Sequence, residues 1–263
     1  MRRLVPLLAV ALLVFACAKG TPNNPMLGPG ESPTPLVQPQ YVGIGKYQQL
    51  GDAAAAQTFG GVPYITFLEV RQANSSKFPH EDGAGFLYAY QGIHQLSRQD
   101  GERTSFVDQG TAVWLPALVG ELDHVNPTKD DQLWYFVSFR SVMQRNAKLP
   151  YPSYRVLYQT DDLRTPPSDK KLVHTLGYIT MDVGGRTSAH SHGGTEAFYL
   201  LKGKVELKTS DGKKVQLGEG QGASVNPGVI MQLRVVGDQP VQILTYFVRP
   251  EGEPWQTNVQ TLP

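Results

Sequence analysis

The stretch Gly184-Gly185-Arg186-Thr187-Ser188-Ala189-His190-Ser191-His192-Gly193-Gly194-Thr195-Glu196, followed by Ala197-Phe198-Tyr199-Leu200-Leu201-Lys202-Gly203, decides how the rest of the chain is read. Two histidines one residue apart on a strand point to the same face, about 7 Å apart along the backbone. That spacing lets both imidazoles grip one metal ion. Glu196 follows a Gly-Gly pair able to turn the chain back, and it brings an anionic oxygen to the same ion. Two imidazoles and a carboxylate form a facial set that leaves coordination positions free for a ligand or substrate. His190, His192 and Glu196 are therefore the candidate metal ligands.

The spacing resembles the first motif of the cupin superfamily, which runs Gly, five residues, His-x-His, three or four residues, Glu, six residues, Gly. Gly184, His190, His192, Glu196 and Gly203 fall on every position. The second cupin motif runs Gly, five residues, Pro-x-Gly, two residues, His, three residues, Asn. Here Gly220 and Gly228 are kept, while Asn226 replaces the proline, Met231 the histidine and Val235 the asparagine. The resemblance implies that the residue lost at Met231 is the family's fourth metal ligand. A thioether is a soft, weak donor for Mn²⁺ or Fe²⁺. Met231 reads as a wall residue, with Leu233 and Val235 on the same face by strand alternation, so that three ligands remain. Two other readings stay open: a bulge that turns Gln232 inward as an oxygen donor, and a Met231 ligand that favours copper. One divalent ion is expected, with Mn, Fe, Zn, Ni and Cu not distinguished.

The body of the chain repeats itself. Gly85 to Gly92 lines up with Glu196 to Gly203, Asp100-Gly101 with Asp211-Gly212, Pro116 with Pro227, and Tyr135-Phe136-Val137 with Tyr246-Phe247-Val248. All of these matches fall at one offset, 111 residues. A repeat of that length indicates two copies of a domain rather than a solenoid. Within each copy the pattern is β. Strands are expected over 204–209 and 213–217, flanking the hairpin signal Ser210-Asp211-Gly212, and over 231–236 and 241–248. The matching segments of the first copy are 62–70, 86–91, 112–115 and 132–140, and a short helical turn is expected over 52–57. With the cupin resemblance, the fold class is all-β: two tandem double-stranded β-helix barrels. The expected organisation is a signal peptide over 1–16, a lipid-anchored Pro-rich tether over 17–40 and a degenerate first barrel over 41–143. An inter-barrel connection over 144–171 and a second barrel over 172–263 complete it.

The offset makes the first copy an internal control. Pro79 stands for His190, Glu81 for His192, Gly85 for Glu196 and Gly120 for Met231, so no ligand position is kept. His80, His94 and His124 lack ligand spacing and read as surface or supporting histidines, with a site built on His80 and His124 the minor alternative. His174 reads as a structural histidine on the first strand of the second barrel.

Met1-Arg2-Arg3 and the apolar run over 4–16 read as a secretory signal, too short to span a bilayer, which needs about 20 residues. Val14-Phe15-Ala16-Cys17 resembles a bacterial lipobox, and Cys17 is the only cysteine, so it has no disulfide to make. Lipidation at Cys17 and an extracytoplasmic, membrane-anchored location are expected, the lipid being the only membrane contact. Residues 18–40 hold six prolines and read as an extended spacer. The net charge of +1 gives no electrostatic case for nucleic acid.

No Gly-rich phosphate loop, Gly-x-Ser-x-Gly elbow or cysteine nucleophile is present. The partner expected is a small polar molecule, organic acid or sugar-like. Cupins include dioxygenases, decarboxylases, isomerases, aminohydrolases and non-catalytic binders, so the resemblance leaves the reaction open. A lipid-anchored binding or structural envelope protein with a vestigial site is the rival reading. Asp182 and Glu206 are acid–base candidates by proximity in sequence alone, and Arg186 and Arg234 are candidates to meet an anion. Duplicated barrels mimic a dimer of single ones, and assembly into a homo-oligomer stays open.

Overall fold

The computed structural model describes residues 41–42, 45–56, 61–80, 83–101, 104–117, 122–167, 169–260 and 262. The expected signal segment, Cys17 and the tether lie outside the described residues, as do Glu81 and Gly120.

Each half builds an antiparallel five-stranded sheet facing a second, more irregular sheet. In the first half the order is Tyr154–Gln159, Pro63–Gln72, Gln132–Ser141, Gly85–Gln91, Ala112–Leu115. Its second sheet holds Lys77–Pro79, Leu122–Val125, His94–Arg98 and Thr104–Val107. In the second half the corresponding order is Gly45–Ala55, Leu172–Met181, Val241–Pro250, Thr195–Lys202, Gly222–Val225. Around it close Tyr41–Val42, Arg186–Thr187, Met231–Val235, His190–Ser191 and Thr257–Asn258, with the hairpin Lys204–Thr209/Lys214–Gly218 joined to Met231–Val235. The two barrels of the resemblance are thus present.

Their outermost strands are exchanged. Gly45–Ala55, which precedes the first barrel in sequence, pairs along its length with Leu172–Met181 of the second, from Met181 opposite Gly45 to Leu172 opposite Ala55. Tyr154–Gln159, which precedes the second barrel, pairs with Pro63–Gln72 of the first. This differs from the expected organisation at two places. Residues 41–55 do not belong to the first barrel's sheets, and the 144–171 segment is not merely a connection. The expected helical turn over 52–57 is strand through Ala55. Alanine's helix preference is worth only tenths of a kcal/mol per residue, and the edge of Leu172–Met181 offers a full ladder of hydrogen bonds in its place.

Three apolar clusters hold the molecule together. One fills the second barrel (Phe198, Leu200, Met231, Leu233, Ile243 and Phe247 among others), and another fills the first (Leu68, Leu87, Leu96, Trp134, Phe136). The third lies between the two five-stranded sheets and includes Phe67, Phe86, Tyr135, Val137, Leu176, Tyr199, Leu244 and Tyr246. The central strand Val241–Pro250 therefore buries both faces: Val241, Ile243 and Phe247 point into the barrel, while Leu244, Tyr246 and Val248 point at the other barrel. His174 lies in this interface, its Nδ1 2.6 Å from the Tyr246 hydroxyl and its ring stacked on Trp114 at 4.8 Å. It is the structural histidine expected.

The repeat is less uniform than one offset implies. Gly85 faces Ser138, whereas its counterpart Glu196 faces Phe247. A constant shift of 111 would have put Phe136 opposite Gly85. The strands beginning at 63 and 132 recur at 172 and 241, two residues short of that shift. The two ladders are slipped by one pleat, which keeps every side chain on its own face.

Candidate metal centre

The second barrel brings His190, His192 and Glu196 together. One ligand atom from each lies within 4.8 Å of the others, and all three residues are buried. This is the single such His/Cys/Asp/Glu cluster among the described residues. His190 sits on a two-residue strand wedged between Met231 on one side and Asn258 on the other. Glu196 opens the long strand Thr195–Lys202, whose Phe198 and Leu200 face the same interior. Between histidine and glutamate, Gly194 has to be glycine because a Cβ there would lie 2.2 Å from the Val248 carbonyl oxygen. The Gly-Gly pair thus acts by close approach, without left-handed backbone at either residue.

Hydrogen bonding fixes the tautomers. His190 Nδ1 donates to the Ser188 carbonyl at 2.8 Å, and His192 Nδ1 donates to the Trp255 carbonyl. A carbonyl only accepts, so each Nδ1 carries a proton and each Nε2 is the ring nitrogen left to face the site. Thr245 Oγ1 donates to Glu196 Oε1 at 2.8 Å, which leaves Oε2 free. His192 Nε2 and Glu196 Oε2 then face each other across 3.3 Å, both buried and neither in a hydrogen bond. A buried pair at that distance needs a positive charge with it, a metal ion between the two atoms or a proton on His192 Nε2. Burial pushes the Glu196 carboxyl up, but the His192 ring, the His190 ring and the Thr245 hydroxyl together outweigh it and hold it below its usual range. Burial, and then the neighbouring His192, lower His190. Neutral imidazole and ionised carboxylate are the states a metal ion requires. The residues present fit a divalent ion.

The rest of the chamber is apolar. Phe247 lies 4.7 Å and Trp255 5.5 Å from the His192 ring, and the two aromatic rings are 4.0 Å apart. Met231 is fully buried in the barrel core with Leu233 and Val235, as the alternation implied. Gln232 does not turn inward: the strand carries no bulge at that point, and its Nε2 donates to the Thr187 carbonyl at 3.0 Å. The acid–base and anion candidates stand apart. Asp182, Arg186 and Arg234 are exposed, and Glu206 pairs with Lys208 and Lys214 at 3.4 and 3.5 Å on the outer face. A cleft of about 400 Å³ is lined by Arg186, Ser188, Ala189, Gln232, Asn258 and Val259 among others.

Two participants were missed in the sequence. Thr245 is the one polar residue in the inward row Val241, Ile243, Thr245, Phe247, a signal readable once the row is known. Trp255 holds His192 through its backbone carbonyl, which no residue pattern reveals.

Among the described residues the first barrel has no equivalent. A Cβ on Gly85 would lie 2.7 Å from the Phe136 ring and 2.9 Å from Ser138 Cβ, so the space of the Glu196 side chain is filled. Its histidines are not on the surface. His80, His94 and His124 are buried and joined in series: His80 Nδ1 lies 3.0 Å from His124 Nε2, and His124 Nδ1 3.0 Å from His94 Nε2. Both His124 nitrogens are engaged with different partners, so the three do not converge on one point.

Comparison with known proteins agrees with this fold. The Cupin domain family pattern matches residues 177–247. No curated protein matches the chain by sequence. Among solved structures, the chain is similar to a Lactobacillus farciminis oxalate decarboxylase determined as a formate complex. Identity is 9%, coverage 79% of this chain and 88% of that one, and TM-score 0.53. Vicilin from tomato, Solanum lycopersicum, gives 12% identity, 74% and 77% coverage and a TM-score of 0.52. The oxalate decarboxylase of Bacillus subtilis, an enzyme with Mn(II) centers, gives 13% identity, 83% and 80% coverage and a TM-score of 0.50. At these identities the likeness is one of fold. With the family pattern matched over residues 177–247 and both barrels in place, the second barrel carries a cupin domain and the chain has a two-barrel, bicupin fold.

Proposed function

We propose that the second barrel binds one divalent metal ion through His190 Nε2, His192 Nε2 and Glu196 Oε2, and uses it to act on a small polar metabolite, an organic acid or sugar-like molecule. The observation that carries this reading is the buried, mutually facing pair His192 Nε2 and Glu196 Oε2, both without hydrogen bonds. Bound there, a divalent ion would supply Lewis acidity toward an oxygen of the substrate.

The chain's own residues set the terms of that chemistry. Ser188 and Trp255 carbonyls orient the two imidazoles, and Thr245 orients the carboxylate. Such supporting hydrogen bonds matter to affinity about tenfold to a hundredfold. Met231, Phe247 and Trp255 give the chamber apolar walls. With no fourth protein donor, the substrate itself would fill more of the coordination sphere, which favours chelating carboxylates or vicinal hydroxyls. The Mn(II) of the Bacillus subtilis enzyme makes manganese the first ion to try, without excluding Fe, Zn, Ni or Cu.

A second reading is favoured by the outward positions of Asp182 and Glu206, which leave the chamber without a further carboxylate or histidine among the described residues. It is a protein that binds a small molecule without transforming it, or a structural envelope protein with a vestigial site. Loading with Mn²⁺ or Zn²⁺ and screening small carboxylates and sugars by calorimetry and product analysis separates the readings: turnover supports an enzyme, binding without product supports the binder, and no ligand at all supports the structural role. Export, lipidation at Cys17 and display outside the cytoplasm belong to the same proposal, supported by the lipobox-like Val14-Phe15-Ala16-Cys17. Incorporation of radiolabelled palmitate, lost in Cys17→Ser, is its test.

A further inference from the structure

The segment that follows the last long strand returns across the mouth of the second barrel and runs along the ligand-bearing loop. Its contacts there are regular. Val259 N donates to the Ala189 carbonyl at 2.9 Å, and Asn258 and Thr257 pair with His190 and Ser191. The Trp255 carbonyl accepts from His192 Nδ1, and the Pro254 carbonyl accepts from Gly193 N at 3.0 Å. Between these bonds the Trp255 side chain drops into the barrel against Phe247, His192 and Tyr47. Every residue from 189 to 193 is therefore held by residues 254–259, and the ring of Trp255 packs against the His192 imidazole at 5.5 Å.

We propose that this C-terminal strap is a positioning part of the metal centre, so that its docking and metal binding are coupled. The inference rests on the metal reading above and goes beyond it by naming the segment that sets affinity and access. The physical basis is reciprocal. A docked strap holds the His192 proton on Nδ1 and so presents the Nε2 lone pair. An undocked strap frees Nδ1, lets the ring rotate or change tautomer, and opens the chamber to water. If docking favours the ion, the ion favours docking by the same factor. The strap has weak anchors of its own. Beyond the ligand loop it is tied by Glu251 N to the Lys171 carbonyl, by the Arg249 side chain to the Glu253 carbonyl at 2.8 Å, and by an exposed Lys170–Glu253 pair at 3.8 Å. An exposed pair of that kind contributes little, so Trp255 and the loop contacts decide whether the strap stays down.

The test uses the full chain and Co²⁺, whose visible absorption reports coordination. Gly193→Ala places a Cβ 2.7 Å from the Pro254 oxygen and pushes the strap away without changing any ligand. Trp255→Ala removes the anchor. Both are expected to weaken Co²⁺ binding about tenfold to a hundredfold, and in the unaltered protein Co²⁺ is expected to slow amide exchange at residues 255–259. Equal affinity in all three proteins, or strap amides whose exchange ignores Co²⁺, overturns the coupling and leaves the metal site standing. The exchange measurement needs no variant, so misfolding of either substitution does not shield the proposal. An unaltered protein that binds no Co²⁺ overturns the metal reading and the coupling together.

Discussion

His190 is the direct cross-strand partner of Met231, so a methionine occupies the interior position beside the first ligand. Cβ atoms of such partners lie about 5 Å apart on one face, close enough for an imidazole at 231 to reach a shared ion. Met231→His is expected to raise Zn²⁺ or Mn²⁺ affinity by at least about tenfold, near 1.4 kcal/mol. Without metal the same change buries a polar ring in an apolar core and should lower stability by about 1–3 kcal/mol. Calorimetric titration and thermal melts with and without metal check both halves; unaltered affinity would mean that position 231 does not face the ion.

The exchanged strands predict where damage travels. Tyr47 lies in the strand before the first barrel, yet its ring packs in the core of the second, 6.0 Å from Trp255. Tyr47→Ala is expected to cost about 3 kcal/mol and to loosen the second barrel first. Amide exchange should rise at 172–181 and around Trp255 before it rises in the first barrel. Loosening that begins in the first barrel would contradict the exchange.

Acid should destabilise the protein early. Burial lowers His80 to about 4 and His94 to about 3, and it holds His124 well below 6.5, with His94 and His80 adding to the effect. At the interface, burial lowers His174 to about 3. These groups stay neutral in the fold, while the unfolded chain takes up their protons below about 6.5. The unfolded state then binds more protons, so stability falls as pH drops. The window runs from about pH 6.5 to about 4, where His80 begins to protonate in the fold as well. Each neutral histidine contributes a slope of about 1.4 kcal/mol per pH unit in that window. Urea midpoints at pH 7.5 and 5 read this directly, and equal midpoints would contradict it.

Thr245→Val keeps the shape and removes the hydroxyl that orients the Glu196 carboxylate. Metal affinity should fall about tenfold, and the metal-free protein should lose about 1–3 kcal/mol of stability because a buried Glu196 oxygen is left unpaired. A variant that binds metal as tightly as its parent would show that the Glu196 carboxylate needs no such support.

What the sequence disclosed followed from local spacing. The His190-x-His192 pair with Glu196 needed only strand alternation and a tight loop, and those residues converge. Met231, Leu233 and Val235 line the interior because alternation alone decides their face. What stayed hidden depends on partners far away in the chain. Gly45–Ala55 and Tyr154–Gln159 carry no mark of which barrel they complete, because an edge ladder is made of backbone. The Trp255 carbonyl is hidden for the same reason. His80, His94 and His124 come from three different strands, so their series contact rests on a register that was not known. The 111-residue repeat was visible in its turns, but the two-residue slip between ladders leaves no trace in matched side chains.

The most direct test of the metal centre is the metal content of the intact chain after loading with Mn²⁺ or Zn²⁺ and removal of excess, measured by plasma mass spectrometry beside a His190→Ala/His192→Ala double variant. One ion per chain, absent from the variant while its circular dichroism stays that of a folded β protein, is the expected result. An intact chain that retains no stoichiometric ion, or a variant that retains as much as its parent, contradicts a metal centre at His190, His192 and Glu196.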